Sequence, residues 1–207
     1  MRLIRDAADL EEGAAHLAHV CPVWARVLPE IGPLPLRRWD EGFVSIRDAI
    51  VSQQISTHAA NAIVARMVAA GLADEDDIAA ADDDALRSVG LSRPKIRYLR
   101  GIAEAKLDWE GLRDLPDEEA VALLTALPGI GRWTAEIYLK FALGRPDIFA
   151  AADLALAESA RLLYELPDRP KPAALIAMAE PWRPWRAVAA RALWAYYRLA
   201  KGREGVR

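Results

Sequence analysis

Apolar residues recur at helical spacing along most of the chain, and the interruptions divide it into segments. Ala7, Leu10, Ala14, Leu17 and Val20 place one apolar stripe on a helix over residues 6–20. Prolines 22, 29, 33 and 35 come next, so the stretch up to Trp39 reads as a turn-rich connection. Between residues 43 and 70 the stripe returns through Ile46, Ile50, Ile55, Ala59, Ile63 and Met67. Its middle, Ser52-Gln53-Gln54-Ile55-Ser56-Thr57, is polar and β-branched, which predicts a break or short loop there. The acidic run 74–84 reads as a solvated face. A helix then ends at Gly90, and the next is capped by Ser92 and carries Arg93, Lys95, Arg97 and Arg100. A solvated surface helix explains those four cations at least as well as a phosphate track does. Helices follow at 117–126 and 132–143, then at 154–163. Prolines 167, 170 and 172 mark another connection, and a last helix spans 184–200 with Val188, Leu193, Trp194 and Tyr197 on it. No strand-like alternation of useful length interrupts this pattern. The fold class is all-α.

Composition narrows the setting. A chain of 207 residues, 53% of them hydrophobic, fits one domain or one domain of two lobes, with a substantial core. The first residues are broken by charge and show no secretion signal, and no apolar run has the length of a membrane span. A cytoplasmic, bacterial-type location is therefore expected, with no membrane partner. Cys21 is the sole cysteine, which excludes an intramolecular disulfide and a four-cysteine zinc or iron–sulfur site. His16, His19 and His58 have no metal-like spacing. The net charge is −3, but its distribution is uneven: residues 1–90 hold eight Lys/Arg against fifteen Asp/Glu, residues 91–207 nineteen against fifteen. That modest basic excess neither proves nor excludes a nucleic-acid partner.

The most informative stretch is Leu127-Pro128-Gly129-Ile130-Gly131-Arg132-Trp133-Thr134-Ala135. Proline removes a donor and the glycines permit positive φ, so a helix cannot run through it. Apolar spacing resumes on both sides, through Val121, Leu124 and Ala126 before and Ile137, Phe141 and Leu143 after. The unit is helix, tight glycine hairpin, helix, and the free N–H groups opening the second helix suit a backbone phosphate. Taken alone, a Gly-x-Gly turn between two packed helices would read the same way, and Asp153 at a helix start would read as an N-cap.

Together with Asp153 in Phe149-Ala150-Ala151-Ala152-Asp153-Leu154, with Ile50-Val51-Ser52-Gln53-Gln54-Ile55-Ser56 and with Pro181-Trp182-Arg183-Pro184-Trp185-Arg186, this stretch resembles the helix–hairpin–helix (HhH-GPD) DNA glycosylases. Within them it is similar to the alkylpurine branch, 3-methyladenine DNA glycosylase II, in a short form without the N-terminal β domain. The similarity runs from about residue 40 to residue 200. It implies a single domain over residues 1–207 with two helical lobes flanking a DNA-binding cleft. One lobe would cover about 42–140, the other 1–41 plus 141–207.

The resemblance also assigns roles. Asp153 takes the catalytic position, where an anion stabilises an oxocarbenium-like sugar and orients or deprotonates the attacking water. Ala151 and Ala152 stand where relatives often carry proline and a second acid, and Asp147 falls too early to substitute. Trp133 occupies the place of the lysine that forms a Schiff base in relatives that also cut the backbone. The implied activity is therefore monofunctional: base removal that leaves an abasic site. Trp133 and Trp194 would line the base pocket with Ile137, which replaces a tyrosine. A cationic alkylated purine over an indole face gains roughly 0.5–2 kcal/mol, and the base must first flip out of the stack. DNA contacts fall on Gln53, Gln54 (at the wedge position), Gly129, Gly131, Arg132 and Thr134. Backbone carbonyls of Thr125, Leu127 and Ile130 would hold Na+ or K+, with no redox or organic cofactor and no iron–sulfur cluster. The partner would be damaged double-stranded DNA, and the protein a monomer. Trp182, Trp185, Arg183 and Arg186 read as packing for the last helix, while Trp24 and Trp39 are candidates to face the pocket. Two other readings remain open: a glycosylase for deaminated or oxidised bases, and a non-catalytic helix–hairpin–helix binding module. The module would explain the hairpin but give no reason for Asp153 or the two tryptophans.

Overall fold

A computed structural model describes residues 2–202. It forms α-helices and short 3-10 turns with no strand among those residues, as the apolar spacing predicts. The chain divides into two compact units, one being Trp39–Tyr138 and the other built from the segments on either side of it.

The flanking segments carry α1 (Ala7–Val20), α2 (Pro22–Ile31), and later α10 (Leu154–Leu163), α11 (Pro172–Ala179) and α12 (Arg186–Lys201). Their core gathers Leu17, Trp24, Leu156, Trp182, Val188 and Leu193, all buried. Trp24 meets Trp182 edge-on at 5.4 Å, and Tyr164 stacks on the same indole at 6.3 Å. Gly13 of α1 lies so close to α12 that a Cβ would stand 2.6 Å from Val188 Cγ2. The α2 helix corrects the turn-rich reading of residues 22–39. Pro22 sits at the first helical position, where its missing N–H is not needed, and Pro29 falls in the last turn. Burial of Trp24 and Val27 on one face outweighs the breaker signal. The α11 helix was likewise hidden behind its prolines, with Pro172 opening it.

The unit Trp39–Tyr138 contains α3 (Phe43–Ser52), α4 (Thr57–Ala69), α5 (Glu75–Ala80), α6 (Asp83–Ser88), α7 (Arg93–Glu104), α8 (Asp117–Thr125) and most of α9 (Arg132–Phe141). The polar run does break the long helix: α3 ends at Ser52, and Ser56 opens α4 by accepting from Ala59 N at 3.2 Å. Ile46, Ile50, Met67, Ile78, Leu86, Leu99 and Ile102 are buried in this unit. The acidic run is more than a solvated face. Asp74 and Asp82 are N-caps, accepting from Asp77 N at 3.0 Å and Ala85 N at 2.7 Å. Ser92 does precede α7, but its side chain makes no capping bond.

Candidate functional site

Turn chemistry builds the hairpin between α8 and α9. Leu127 N closes on Leu124 O at 3.1 Å, Ile130 N on Leu127 O at 3.3 Å, and Ala135 N on Gly131 O at 3.0 Å. Gly129 takes φ +80, and a Cβ there would lie 2.5 Å from Tyr98 Cδ2. One turn along α7, a Cβ on Gly101 would lie 2.7 Å from Pro128 Cγ. The hairpin is thus seated on α7 through two glycine contacts, with Leu127 and Ile130 buried beneath it. Gly131 differs: it is exposed, and a Cβ added there would touch nothing within 4 Å. Its backbone is open to an incoming ligand.

The α3–α4 loop joins this surface. Gln53 Nε2 donates to Gly129 O at 3.0 Å, so Gln53 braces the hairpin. Gln54 beside it is exposed in the left-handed region, φ +60. An L side chain held there costs about 1–2 kcal/mol, a strain that clusters at functional positions. Lys95 of α7 donates to Val51 O at 2.7 Å and so ties the loop to the same helix. Arg132 is engaged by two carboxylates, Glu118 at 2.7 Å and Glu136 at 2.9 Å. Those bonds, Glu118 first, push its pKa up against a desolvation that lowers it. Thr134 and Ile137 are buried, whereas Trp133 keeps 45% of its surface exposed. Thr125 turns its hydroxyl back to Val121 O, and Leu127 O already accepts from Ile130 N, while both residues keep carbonyls in the hairpin region.

In the other unit Asp153 is the N-cap of α10. Its Oδ1 accepts from Ala155 N at 2.8 Å and Leu156 N at 3.1 Å, and the side chain is half-buried. The turn before it closes through Asp153 N to Ala150 O at 3.0 Å. Asp147, the other carboxylate of this stretch, is held by Arg186 through a two-pronged pair at 2.8 and 2.9 Å and is also bonded by Arg183. Trp182 and Trp185 are buried, in line with packing, and Trp24 is fully enclosed while Trp39 is half-buried. Trp194 is half-buried; Phe141 stacks on it at 5.8 Å and Lys140 Nζ lies 4.5 Å from its ring centre.

Lys140, Arg145 and Arg191, all buried in this unit, gave no sign in the sequence beyond being charges inside apolar runs. Arg191 donates to Ala187 O at 3.1 Å and Lys140 O at 3.4 Å. Desolvation, with Arg38 and Arg37 nearby, pulls its pKa down to about 10.

Residues 48–184, which carry both the hairpin and Asp153, match the HhH-GPD superfamily of base excision DNA repair proteins. The chain belongs to that family. DNA-3-methyladenine glycosylase 1 of Schizosaccharomyces pombe is 32% identical over 211 residues, covering 96% of this chain and 92% of the relative. The solved DNA-3-methyladenine glycosidase of Bacillus halodurans superposes with a TM-score of 0.81 at 31% identity, over 90% of this chain and 89% of that one. The S. pombe 3-methyladenine DNA glycosylase in complex with abasic DNA gives 0.75 at 31%, over 92% and 97%.

Proposed function

We propose that this protein is a monofunctional DNA glycosylase that removes alkylated purines of the 3-methyladenine type from double-stranded DNA. The observation that carries the reading is Asp153: one carboxylate fixed by two backbone N–H groups at the start of α10, in a stretch whose other acid, Asp147, is committed to arginines. In the reaction the N-glycosidic bond breaks as the base departs with its electron pair. Positive charge builds on the sugar, and a fixed anion lowers the energy of that state. Water then adds to the anomeric carbon and gives up a proton, which Asp153 is suited to accept. A purine alkylated at N3 or N7 is already cationic and leaves as a neutral base, so the leaving group needs no added acid. Trp133 offers an aromatic face and no amine, which leaves no Schiff-base route at that position.

The open backbone at Gly131 and the braced turn at Gly129 suit a DNA phosphate, and Gln54 is suited to enter the stack when the base flips. Carbonyl oxygens are the donors a Na+ or K+ ion prefers, so Thr125, Leu127 and Ile130 would hold such an ion at the turn, where it would add positive charge toward the phosphate. The relatives named above, each a 3-methyladenine glycosylase by name, support the choice of substrate.

The test is release of bases from methylated duplex DNA by wild type and by Asp153→Asn, with strand breaks scored before and after alkali. Free 3-methyladenine from wild type alone, with breaks only after alkali, is expected. Binding without release of any base would overturn the enzymatic reading. Equal release by the variant would remove Asp153 from the mechanism.

A further inference from the structure

The α7 helix touches both elements assigned to DNA. Lys95 holds the end of α3 next to the Gln53–Gln54 loop, and Tyr98 packs under Gly129 of the hairpin. Its buried face is Ile96, Leu99, Ile102 and Ala103, which turns Arg93 and Arg97 to solvent, one helical turn apart. The cations of α7 are not equivalent. Arg100 is bonded to Asp83 and to Ala81 O, each within 3.0 Å, and Lys106 just past the helix is bonded to Asp76, so the C-terminal half is neutralised by the acidic run. Among the described residues no carboxylate pairs with Arg93 or Arg97. The Arg97 guanidinium instead lies over the Tyr98 ring, 5.4 Å from its centre. That stacking holds the charge beside the ring on which the hairpin sits, and it leaves the guanidinium N–H groups available to an anion.

We infer that Arg93 and Arg97 form a second phosphate-contact site that extends the hairpin's hold on the DNA backbone along α7. The proposal rests on the glycosylase reading for its partner, a polyanion whose regularly spaced phosphates can meet a hairpin and two arginines on the adjoining helix. Contacts of this kind carry no sequence information, so they act equally on damaged and undamaged duplex. They also account for how a chain of net charge −3 holds DNA: the acidic half of the balance is spent on capping and on the far end of α7.

The experiment is anisotropy of a labelled undamaged duplex, and of the same duplex with an abasic-site analogue, between about 50 and about 200 mM salt. Arg93→Ala and Arg97→Ala should each flatten the plot of log affinity against log salt by about 0.9, the slope of one lost phosphate contact. The loss should be the same on both duplexes. Arg97→Lys should restore the slope, and Arg100→Ala, whose guanidinium is already engaged by Asp83 and Ala81 O, should leave both the slope and single-turnover base release at the wild-type values. Wild-type slopes in both alanine variants, with wild-type binding and base release intact, would overturn the second site and leave the glycosylase reading standing. Absence of salt-dependent binding by the wild type would overturn both.

Discussion

Replacing Gly129 by alanine combines two penalties at one residue. An L side chain at φ +80 enters the left-handed region, which costs about 1–2 kcal/mol. The new Cβ would also stand 2.5 Å from Tyr98 Cδ2, 2.6 Å from Cγ and 3.0 Å from Cβ. Carbon atoms rest at about 3.5–4.0 Å, so the ring or the hairpin must move by about 1 Å. Overpacking of that kind adds about 1–3 kcal/mol. The sum, about 2–5 kcal/mol, lowers the melting temperature of a chain this size by about 4–20 °C. Gly131→Ala is the control: its Cβ meets nothing, so stability should stay within about 0.5 kcal/mol of wild type. Affinity for an abasic-analogue duplex should nevertheless fall, because the methyl group would stand where a phosphate is expected to approach. Thermal and urea melts of both variants, with anisotropy on the duplex, make the comparison. Adding Tyr98→Ala to Gly129→Ala removes the two ring contacts and keeps the 3.0 Å Cβ contact, so it should return most of the steric loss and leave the φ part, and a double-mutant cycle reads the ring's share. If Gly129→Ala melts with the wild type, or if Gly131→Ala is equally unstable, the hairpin geometry argued from these contacts is wrong.

Asp153→Asn keeps an oxygen for Ala155 N and Leu156 N, so its urea midpoint should match wild type while base release is lost; Asp153→Ala should lose about 1 kcal/mol as well, and an unstable Asn variant would refute the separation. Asp153→Glu retains the charge but moves it off the cap, and a misplacement of about 1 Å should cost about a hundredfold in single-turnover rate; near-wild-type turnover would show that position does not matter. Gln53→Glu replaces the donor to Gly129 O with an acceptor and should destabilise more than Gln53→Leu, for which about 0.5–1.5 kcal/mol is expected; equal stability of the Glu variant and wild type would show the bond is not made. The Glu158 carboxyl is held at about 2 by a hydrogen bond from Arg161, opposed by desolvation and reinforced by Lys201. Its folded value lies below the ordinary 4.5, so its stabilisation is present above that value and fades as pH falls toward about 2. The urea-midpoint gap between wild type and Glu158→Gln should therefore narrow between neutral pH and about pH 3, and a constant gap would contradict the assignment.

Helical spacing and punctuation made most of the fold legible, because a buried stripe at period 3.6 leaves its mark wherever a helix packs on a core. The misses have a common cause. At Pro22 and Pro172 a breaker stands at the first helical position, where it is tolerated, and only burial of Trp24 or Leu175 shows that a helix follows. The acidic run 74–84 conceals two caps, because Asp is at once a solvated charge and an N-cap, and composition cannot separate the roles. Within the candidate site, the pairings of the side chains left no mark in the sequence. Gln53 reads in the sequence as part of a polar break, and no local pattern shows that its amide reaches Gly129 O, 76 residues away. Arg132, given as a DNA contact by the resemblance, is paired with Glu118 and Glu136, which nothing in its spacing foretells. The buried cations Lys140, Arg145 and Arg191 carry no periodic signal, since a charge in an apolar stripe normally reads as an interruption.

Stabilising contacts and functional geometry coincide at each of these points. Gly129 faces inward, onto Tyr98, and Gly131 faces outward, so of two glycines in one motif the fold constrains the first, and the proposed phosphate contact would constrain the second. Asp153 likewise needs no choice between capping and chemistry. The catalytic role proposed for Asp153 asks that the carboxylate be in place before the substrate arrives, and two backbone N–H groups on Oδ1 hold it through interactions that α10 requires in any case. Asp147 shows the contrasting outcome: its two-pronged pair with Arg186 satisfies both oxygens, and a carboxylate so engaged is a strut. Acidity alone therefore does not separate the two: the cap that Asp153 provides at the start of α10 and the pair that Asp147 makes with Arg186 are both structural roles, and Asp153 is put forward for chemistry by the motif it falls in.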